Sequence, residues 1–292
     1  MNHQAHTFTT HDQHALHIHH WPGPQGAPTL HWAHANGFNA HTYWPLLKQL
    51  TPHFKLWAWD MRGQGHSRAA GQARTFRGWN TYYQDLVHWL DLQTEPVWLA
   101  GHSIGATTSL AAASARPHKV KGLLLAEPVL LGRKQGVVLQ MSHWLGFSKK
   151  IPMAAAAARR KARFQSRQEA FANYRSKKAF ATWSDEWLQA YATHGFVDTP
   201  HGEVELACPP AWEALTFEHT EPNALRWLKN PACPVVILAG EQGSTFPTQA
   251  HPRIQKALPQ ARIEVVRNST HFLPMEHTQR VVQEILKLCE QD

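Results

Sequence analysis

Residues 96–115 read PVWLAGHSIGATTSLAAASA. A short apolar run ends at Ala100, the pentapeptide GHSIG (residues 101–105) follows, and small and apolar residues typical of a buried helix continue to Ala115. A strand, a Gly-x-Ser-x-Gly turn and a helix in this order place a serine on a sharp turn with its hydroxyl exposed. The helix N-terminus directs backbone N–H groups at developing negative charge. We therefore predict that Ser103 is a nucleophile, with an ordinary strand–turn–helix connection as the alternative.

A late histidine is the candidate general base. A serine hydroxyl is a weak nucleophile at neutral pH and needs a neighbouring base, which comes last in the chain order typical of this motif. The segment ARIEVVRNSTHFLPMEH, residues 261–277, places His271 in a loop between a predicted strand and the final helix. His277 lies at the predicted start of that helix and is the weaker candidate. The sequence therefore predicts a Ser103–His271 pair.

Predicted strands and helices alternate on both sides of this segment. The alternation predicts an α/β fold with a parallel sheet, right-handed crossovers and helices on both faces. It stops after Leu131 and resumes near residue 230, and the part between shows helical patterns without convincing strands. We therefore expect a core made of residues 1–131 and 230–292, and a helical cap made of residues 132–229 that folds over the active site.

The overall composition is that of a globular protein. The chain has 292 residues, of which 43% are hydrophobic and 17% charged, and its formal net charge is +8. This length suits one α/β domain with an insertion, and charge alone indicates no function. We expect neither a signal peptide nor a membrane span, because no apolar segment of the required kind is present. Three widely spaced cysteines indicate neither a disulfide framework nor a metal site, so we expect a cytoplasmic location.

Histidine is unusually frequent, with 22 copies, several of them near the N-terminus. A metal-binding tract is one interpretation of such a composition. In the segment LHIH, residues 16–19, apolar and histidine residues alternate. This alternation favours a half-buried strand whose His17 and His19 face water. We therefore expect no metal site here.

Six segments occur along the chain in the order HANGFNAHTYWPLL, WDMRGQGHS, GHSIGA, LLLAEPV, VVILAGE and STHFLPME. This series resembles the motif series of the α/β-hydrolase superfamily, in particular the branch with epoxide hydrolases, haloalkane dehalogenases and C–C bond hydrolases. The resemblance covers both flanks of the expected cap. It implies an α/β-hydrolase fold, that is, a mostly parallel eight-stranded sheet flanked by helices, with a helical cap inserted after the sixth strand.

The same resemblance implies roles for individual residues. Ser103 would be the nucleophile and His271 the base, and the backbone N–H groups of Phe38 and Ile104 would form the oxyanion hole. Dehalogenases and epoxide hydrolases of this branch carry aspartate at the position of Ser103, which argues against those two activities.

The third member of a triad has two candidates. The family usually places an aspartate shortly after the strand that corresponds to VVILAG, but the matching position here is Gly243. Glu127 ends the predicted strand GLLLAEPV, where some family members carry the acid, and Glu241 lies nearer the usual position. A carboxylate in this role accepts a hydrogen bond from the second histidine nitrogen and stabilises the imidazolium. We favour Glu127, with Glu241 as the alternative.

The expected activity is hydrolysis of a carboxylic ester or a related small-molecule acyl substrate through an acyl-enzyme, with no metal or organic cofactor. A C–C bond hydrolase or an acyltransferase could use the same serine and histidine, and a non-catalytic binding protein of this fold is the alternative of another class.

Basic residues are concentrated in the expected cap. Between Lys149 and Lys178 the chain has ten Lys or Arg residues and a single acidic residue, Glu169. We interpret this run as a solvated face, in preference to an attraction for an anionic substrate or an acidic membrane surface. We expect no nucleic-acid partner, because no recognition motif is present. The sequence does not indicate an oligomeric state.

Overall fold

The central sheet takes its strands from both flanks of the chain. The computed structural model describes residues 3–229 and 231–290, so the expected core boundary at residue 230 lies outside the described residues. Before the cap the chain forms β1 (Gln4–Thr9), β2 (Ala15–Trp21), β3 (Thr29–Ala33), α1 (Trp44–Leu50), β4 (Lys55–Trp59), α2 (Trp79–Asp91), β5 (Val97–His102), α3 (Ile104–Ala115) and β6 (Val120–Ala126).

The segment 132–229 forms five α-helices and a separate three-stranded sheet within its described residues. These elements are α4 (Arg133–Trp144), α5 (Pro152–Ala158), β7 (Arg163–Phe164), α6 (Arg167–Arg175), α7 (Asp185–His194), β8 (Phe196–Asp198), β9 (Val204–Leu206) and α8 (Pro210–Glu218). The small sheet has the order β7-β9-β8, and both pairs are antiparallel. The expectation of a cap without strands is therefore wrong, because strands of 2 or 3 residues are too short to show a recognisable alternation.

The chain then returns to the central sheet and its helices. The elements are β10 (Val235–Gly240), α9 (His251–Ala257), β11 (Ala261–Val266), α10 (Leu273–Glu276) and α11 (Thr278–Cys289). The eight strands lie in the order β1-β2-β4-β3-β5-β6-β10-β11. The pairs β1–β2 and β2–β4 are antiparallel and the others are parallel. Helices α1 and α11 pack on one face and α2 and α3 on the other. The predicted mostly parallel eight-stranded sheet flanked by helices is confirmed.

The parallel strands bring three predicted residues to one edge of the sheet. Ser103 follows β5 directly, Glu127 follows β6 directly, and His271 lies in the loop after β11. The carboxyl ends of parallel strands share one edge, which is where open α/β sheets place their binding sites. The topology therefore converts three distant sequence positions into neighbours.

The histidines of β2 do not face water. His19 is only 1% exposed and His17 is half-buried. Two 3-10 helices, Ala40–Tyr43 and Gly65–Ala70, cover this face of the strand. Their histidines, His41 and His66, lie with ring centroids 4.1 Å from His19 and 4.7 Å from His17, respectively. The expectation of a solvated histidine face is therefore wrong, because the covering segments are remote in sequence.

Helix α4 presents apolar side chains to the outside of the cap. Trp144 is 81% exposed, and Val138 and Phe147 are also exposed. Other cap aromatics, such as Phe164 and Tyr174, are buried. Trp144 and Phe147 therefore lie outside the packed interior of this segment.

Two further sequence expectations concern membranes and disulfides. Among the described helices, none has the length and apolar character needed to cross a bilayer. Cys208, Cys233 and Cys289, all within the described residues, form no disulfide.

Candidate active site

Ser103 occupies a strained turn between β5 and α3. Its φ is 57° and its ψ is −122°, a backbone conformation that residues with a Cβ rarely adopt. The turn is also crowded, since a Cβ at Gly105 would lie 2.2 Å from the carbonyl oxygen of Ala33. The Ser103 N–H donates to the carbonyl of Ala126 at 3.0 Å, which ties the turn to the end of β6. The turn therefore holds the serine at the helix N-terminus.

His271 lies between Ser103 and Glu127. Its Nε2 is 3.0 Å from Ser103 Oγ, and its Nδ1 is 3.0 Å from Glu127 Oε2. A carboxylate can only accept, so the hydrogen of a neutral imidazole belongs on Nδ1. That tautomer leaves the Nε2 lone pair free to accept the serine proton. The three groups thus have the geometry of a nucleophile, a base and an orienting acid.

Glu127 is fully buried and is held by several hydrogen bonds. Its backbone φ is 50°, and its carboxylate accepts from the Gly240 N–H, from Ser244 Oγ at 2.6 Å and from the Thr245 N–H at 3.0 Å. Burial alone would raise the pKa of this carboxyl group, but His271 and these donors outweigh it and lower the pKa. Glu127 is therefore ionised at neutral pH.

Glu241, the alternative acid, points elsewhere. It is exposed, and its Oε2 accepts from the Asn268 N–H at 2.9 Å. Gly243, at the usual family position of the acid, has φ +60° and belongs to the turn that carries Ser244 and Thr245 to Glu127. The segment that lacks the usual aspartate therefore supplies hydrogen-bond donors to a carboxylate from another strand.

The two expected oxyanion donors have different environments. Ile104 is the first residue of α3, and the first N–H groups of a helix have no intrahelical partner. The Phe38 N–H donates to the carbonyl of Ala35 at 3.3 Å, a long bond within its own loop. The neighbouring Gly37 N–H donates to Gln64 Oε1 at 2.8 Å, which anchors the loop. Ile104 is therefore available to a ligand, whereas the Phe38 N–H must leave a weak internal contact.

A chain of buried hydrogen bonds links the loop that carries Phe38, here called the oxyanion loop, to the backbone of His271. We refer to this chain of hydrogen bonds as the relay. His102 Nε2 is 2.7 Å from the His271 carbonyl oxygen, and its Nδ1 is 2.7 Å from the hydroxyl of Tyr43. The same hydroxyl accepts from the Ala35 N–H at 3.2 Å. A carbonyl only accepts, so His102 carries its hydrogen on Nε2 and accepts from Tyr43. The sequence alone does not indicate this role for either residue, although His102 stands inside the GHSIG motif.

Aromatic side chains of the cap cover the site. Trp183 lies with its ring centroid 5.2 Å from that of Phe272 and 6.0 Å from that of Phe38. Phe180 stacks on Phe272 at 5.9 Å. Phe272 follows His271 directly, so the cap contacts both the base loop and the oxyanion loop. Ser103 itself is 8% exposed, which leaves the candidate nucleophile in a largely water-excluded position.

A surface groove lies away from these residues. It has a volume of about 510 Å³ and runs between α1, α7 and the C-terminal helices, where Pro45, Trp187 and Gln279 are among its lining residues. Ser103, His271 and Glu127 do not line it. The groove is therefore separate from the three candidate catalytic side chains.

Comparisons with known proteins agree with this fold. A family model described as the alpha/beta hydrolase fold matches residues 26–278. (E)-2-((N-methylformamido)methylene)succinate hydrolase of Acinetobacter baylyi is 28% identical over 111 residues, which are 38% of this chain and 41% of that protein. The match thus spans less than half the length of this relative.

Solved structures share the architecture over the whole chain. E-2-(acetamidomethylene)succinate hydrolase matches with a TM-score of 0.81 and 18% identity over 99% of this chain and 100% of that one. An epoxide hydrolase of Vigna radiata matches with a TM-score of 0.71 and 15% identity over 99% and 98%. At such identities the likeness concerns the fold. Because the family model covers most of its length, the chain belongs to the alpha/beta hydrolase fold family, and the superfamily that its six segments resemble is confirmed.

Proposed function

We propose that this hydrolase of the α/β fold cleaves a carboxylic ester or a related acyl compound through a serine-bound acyl intermediate. The observation that carries the proposal is the line of Ser103 Oγ, the His271 imidazole and the Glu127 carboxylate, joined by two contacts of 3.0 Å. The strained backbone of Ser103 and the burial of Glu127 give further support, because active sites commonly hold such residues.

The chemistry follows from the tautomer. His271 Nε2 takes the Ser103 proton as Oγ bonds to the acyl carbon, and Glu127 stabilises the resulting imidazolium through Nδ1–H. The intermediate collapses when its bond to the leaving alcohol breaks and Nε2 returns the proton to that alcohol. Water then attacks the acyl-serine with Nε2 as its base, and the carboxylic acid and free Ser103 result.

Backbone donors would stabilise the tetrahedral oxyanion. The Ile104 N–H at the start of α3 supplies one, and the Phe38 N–H supplies a second when the negative oxygen replaces Ala35 as its acceptor. Each such donor contributes about 3 kcal/mol to transition-state stabilisation. Ile104 is the stronger contributor in this arrangement, because its N–H gives up no internal bond.

A fluorophosphonate probe with mass spectrometry tests the proposal. We expect one adduct on Ser103, slow labelling of His271→Gln and normal labelling of His277→Gln, the matched control for the other late histidine. A panel of p-nitrophenyl esters then measures the preferred acyl length. A folded protein that acquires no adduct on Ser103 would favour a non-catalytic binding role. Product analysis with added alcohol separates hydrolysis from acyl transfer.

A C–C bond hydrolase acting on an anionic, diketone-like substrate is the second candidate. Arg160 of the cap is mostly buried, contacts Glu213 and donates to the hydroxyl of Tyr174 at 2.9 Å. A Cβ on Gly37 would lie 3.3 Å from Arg160 Nη1, so this cation adjoins the oxyanion loop. Guanidinium groups bind carboxylates in two-pronged geometry. Two proteins similar to this chain are named as hydrolases of substituted succinates, which are dicarboxylates.

Substrate charge distinguishes the two candidates. Paired esters with the same alcohol and either a neutral or a carboxylate-ended acyl chain measure the preference, and a 1,3-diketone carrying a carboxylate tests carbon–carbon cleavage. If Arg160 binds the substrate, Arg160→Gln lowers kcat/KM for the anionic ester about tenfold or more and leaves the neutral ester nearly unchanged. An equal loss of kcat/KM for both esters would mean that Arg160 only stabilises the structure of the cap.

A further inference from the structure

Six histidines from separate parts of the chain meet beside β2. Successive ring centroids lie 4.1 to 5.2 Å apart, and the set joins the N-terminal strand, β2, two 3-10 helices and the end of α7. Its members are His3, His17, His19, His41, His66 and His194. Neither the hydrolytic mechanism nor the packing of the sheet requires imidazoles at these positions.

Three of these histidines have ring nitrogens that lie close to one another. His3 Nε2 and His19 Nδ1 are 3.0 Å apart, and one ligand nitrogen from each of His3, His19 and His41 lies within 4.8 Å of the others. Nitrogen atoms around a tetrahedral metal lie about 3.3 Å apart, given metal–nitrogen bonds near 2.05 Å. Small side-chain rotations therefore bring all three into bonding distance. We propose that His3, His19 and His41 bind a divalent transition metal, with Zn²⁺ as the best fit.

A buried carboxylate lies beside the central ligand. His19 Nε2 lies 3.6 Å from Asp60 Oδ1, and both side chains are 1% exposed. Asp60 is itself fixed by the N–H groups of Ala40 at 2.9 Å and His66 at 2.7 Å. Metal-binding histidines commonly direct their second nitrogen at a carboxylate, which sets the tautomer. At 3.6 Å the contact is longer than a hydrogen bond, but the negative charge of Asp60 beside Nε2 favours the tautomer that has its hydrogen there and leaves the Nδ1 lone pair for the metal.

The donor set and the space beside it indicate the metal class. Neutral imidazoles suit Zn²⁺, Cu²⁺ and Ni²⁺, whereas Mg²⁺ and Ca²⁺ prefer oxygen. A cavity of about 200 Å³ adjoins one of the three ligands, His41, and His66, His194 and Arg167 also line it. This space admits a water molecule or a fourth imidazole, which would complete a tetrahedron.

The metal would act as a structural link. It joins His3, next to β1, to β2 and to the 3-10 helix that begins two residues after Phe38. Asn39 in that connection also donates to the His194 carbonyl at the end of α7, at 2.6 Å. Metal binding would therefore hold the N-terminal strand on the core near the loop that carries Phe38 and the cap.

Titration of the tag-free full chain with Zn²⁺ against a chelator tests the site. We expect one equivalent to bind, the melting temperature to rise until that equivalent is reached, and Co²⁺ to give the visible absorption of a tetrahedral site. Because losing even an outer-shell partner of a metal commonly costs ten- to hundredfold in affinity, His3→Gln and His41→Gln should bind at least about tenfold more weakly. His118→Gln, which alters an exposed histidine elsewhere, should bind like the unmodified protein.

Two results would overturn the site. The first is a Zn²⁺ affinity, measured in the chelator competition, that does not exceed the affinity of free imidazole for Zn²⁺. The second is wild-type affinity in His3→Gln, a substitution at an exposed position that leaves the buried core unchanged. Esterase activity is not the readout, so failure of the proposed function would leave this test unaffected.

Discussion

His102 Nε2 donates a hydrogen bond of 2.7 Å to the backbone carbonyl of His271. The residue that precedes the candidate nucleophile thus supports the backbone of the candidate base, across 169 sequence positions. The other nitrogen of His102 accepts from the Tyr43 hydroxyl, which in turn accepts from the Ala35 N–H of the oxyanion loop. Burial lowers the pKa of His102 well below its ordinary value, so the imidazole is neutral and the direction of the relay is set.

Removing the hydroxyl of Tyr43 should change the position of His271, the candidate base, without changing a direct contact with the substrate. Tyr43→Phe leaves two buried groups, His102 Nδ1 and the Ala35 N–H, without this partner, at a cost of about 1–3 kcal/mol in the free energy of unfolding. We expect kcat to fall and KM to change little, with a shifted pH–rate profile. Tyr83→Phe, which alters an exposed hydroxyl bonded to Gln84, is the control. An unchanged pH–rate profile would reduce Tyr43 to a structural role.

The two candidate acids make a direct pair for substitution. Glu127→Gln replaces an ionised acceptor with an amide that cannot stabilise an imidazolium, so kcat should fall by about two to four orders of magnitude. Glu241→Gln, on the exposed side chain, should leave kcat within about twofold, because surface substitutions rarely disturb distant groups. Circular dichroism of both variants checks the fold. Near-normal turnover of folded Glu127→Gln would remove Glu127 from the mechanism.

Acid sensitivity should come partly from His31 in β3. This side chain is fully buried against Trp59 and Trp89, and neither ring nitrogen has a hydrogen-bond partner among the described residues. Burial lowers the pKa of His31 from 6.5 to about 3. Below pH 6.5, His31 is therefore protonated in the unfolded chain but stays neutral in the folded chain. The free energy of unfolding falls by about 1.4 kcal/mol per pH unit until pH 3 is approached.

Replacing His31 isolates this contribution. His31→Leu removes the titrating group and its unsatisfied nitrogens, so urea unfolding at pH 5.5 should show about 1.4 kcal/mol less acid destabilisation, relative to pH 7.5, than the unmodified protein. His118→Gln, at an exposed site, should keep the original difference. An identical pH dependence in His31→Leu would mean that His31 takes up its proton at the same pH in the folded and the unfolded chain.

Trp183 should influence substrate binding more than chemistry. Its ring lies against Phe38 and Phe272 on either side of the candidate site. Trp183→Ala should raise KM about tenfold for aromatic or long-chain esters, given the usual 0.5–1.5 kcal/mol of an aromatic pair together with lost apolar contact. Trp183→Phe retains an aromatic ring, so its KM should lie between those of the unmodified protein and Trp183→Ala. A uniform loss across all acyl lengths would indicate collapse of the cap instead.

The sequence was sufficient to predict the mostly parallel eight-stranded sheet, and the catalytic role of the Ser103–His271 pair stays a prediction that the 3.0 Å contact between the two side chains supports. Alternating periodicity is a property of contiguous residues, and the GHSIG segment carries its flanking strand and helix with it. The short strands β7, β8 and β9 were missed because their hydrogen bonds join residues up to 42 positions apart in segments too brief for periodicity, as in the pairing of Arg163 with Glu205.

Tertiary structure alone decided which groups face each other. Glu127 and Glu241 both stand near the ends of neighbouring strands, but only Glu127 lies 3.0 Å from His271, 144 positions away. The histidines of β2 likewise alternate as surface residues would, yet two distant 3-10 helices bury His19 and add His41 and His66 to the imidazoles around it. Local sequence encodes which way a side chain points from its strand, whereas the partner it meets depends on how separate segments pack together.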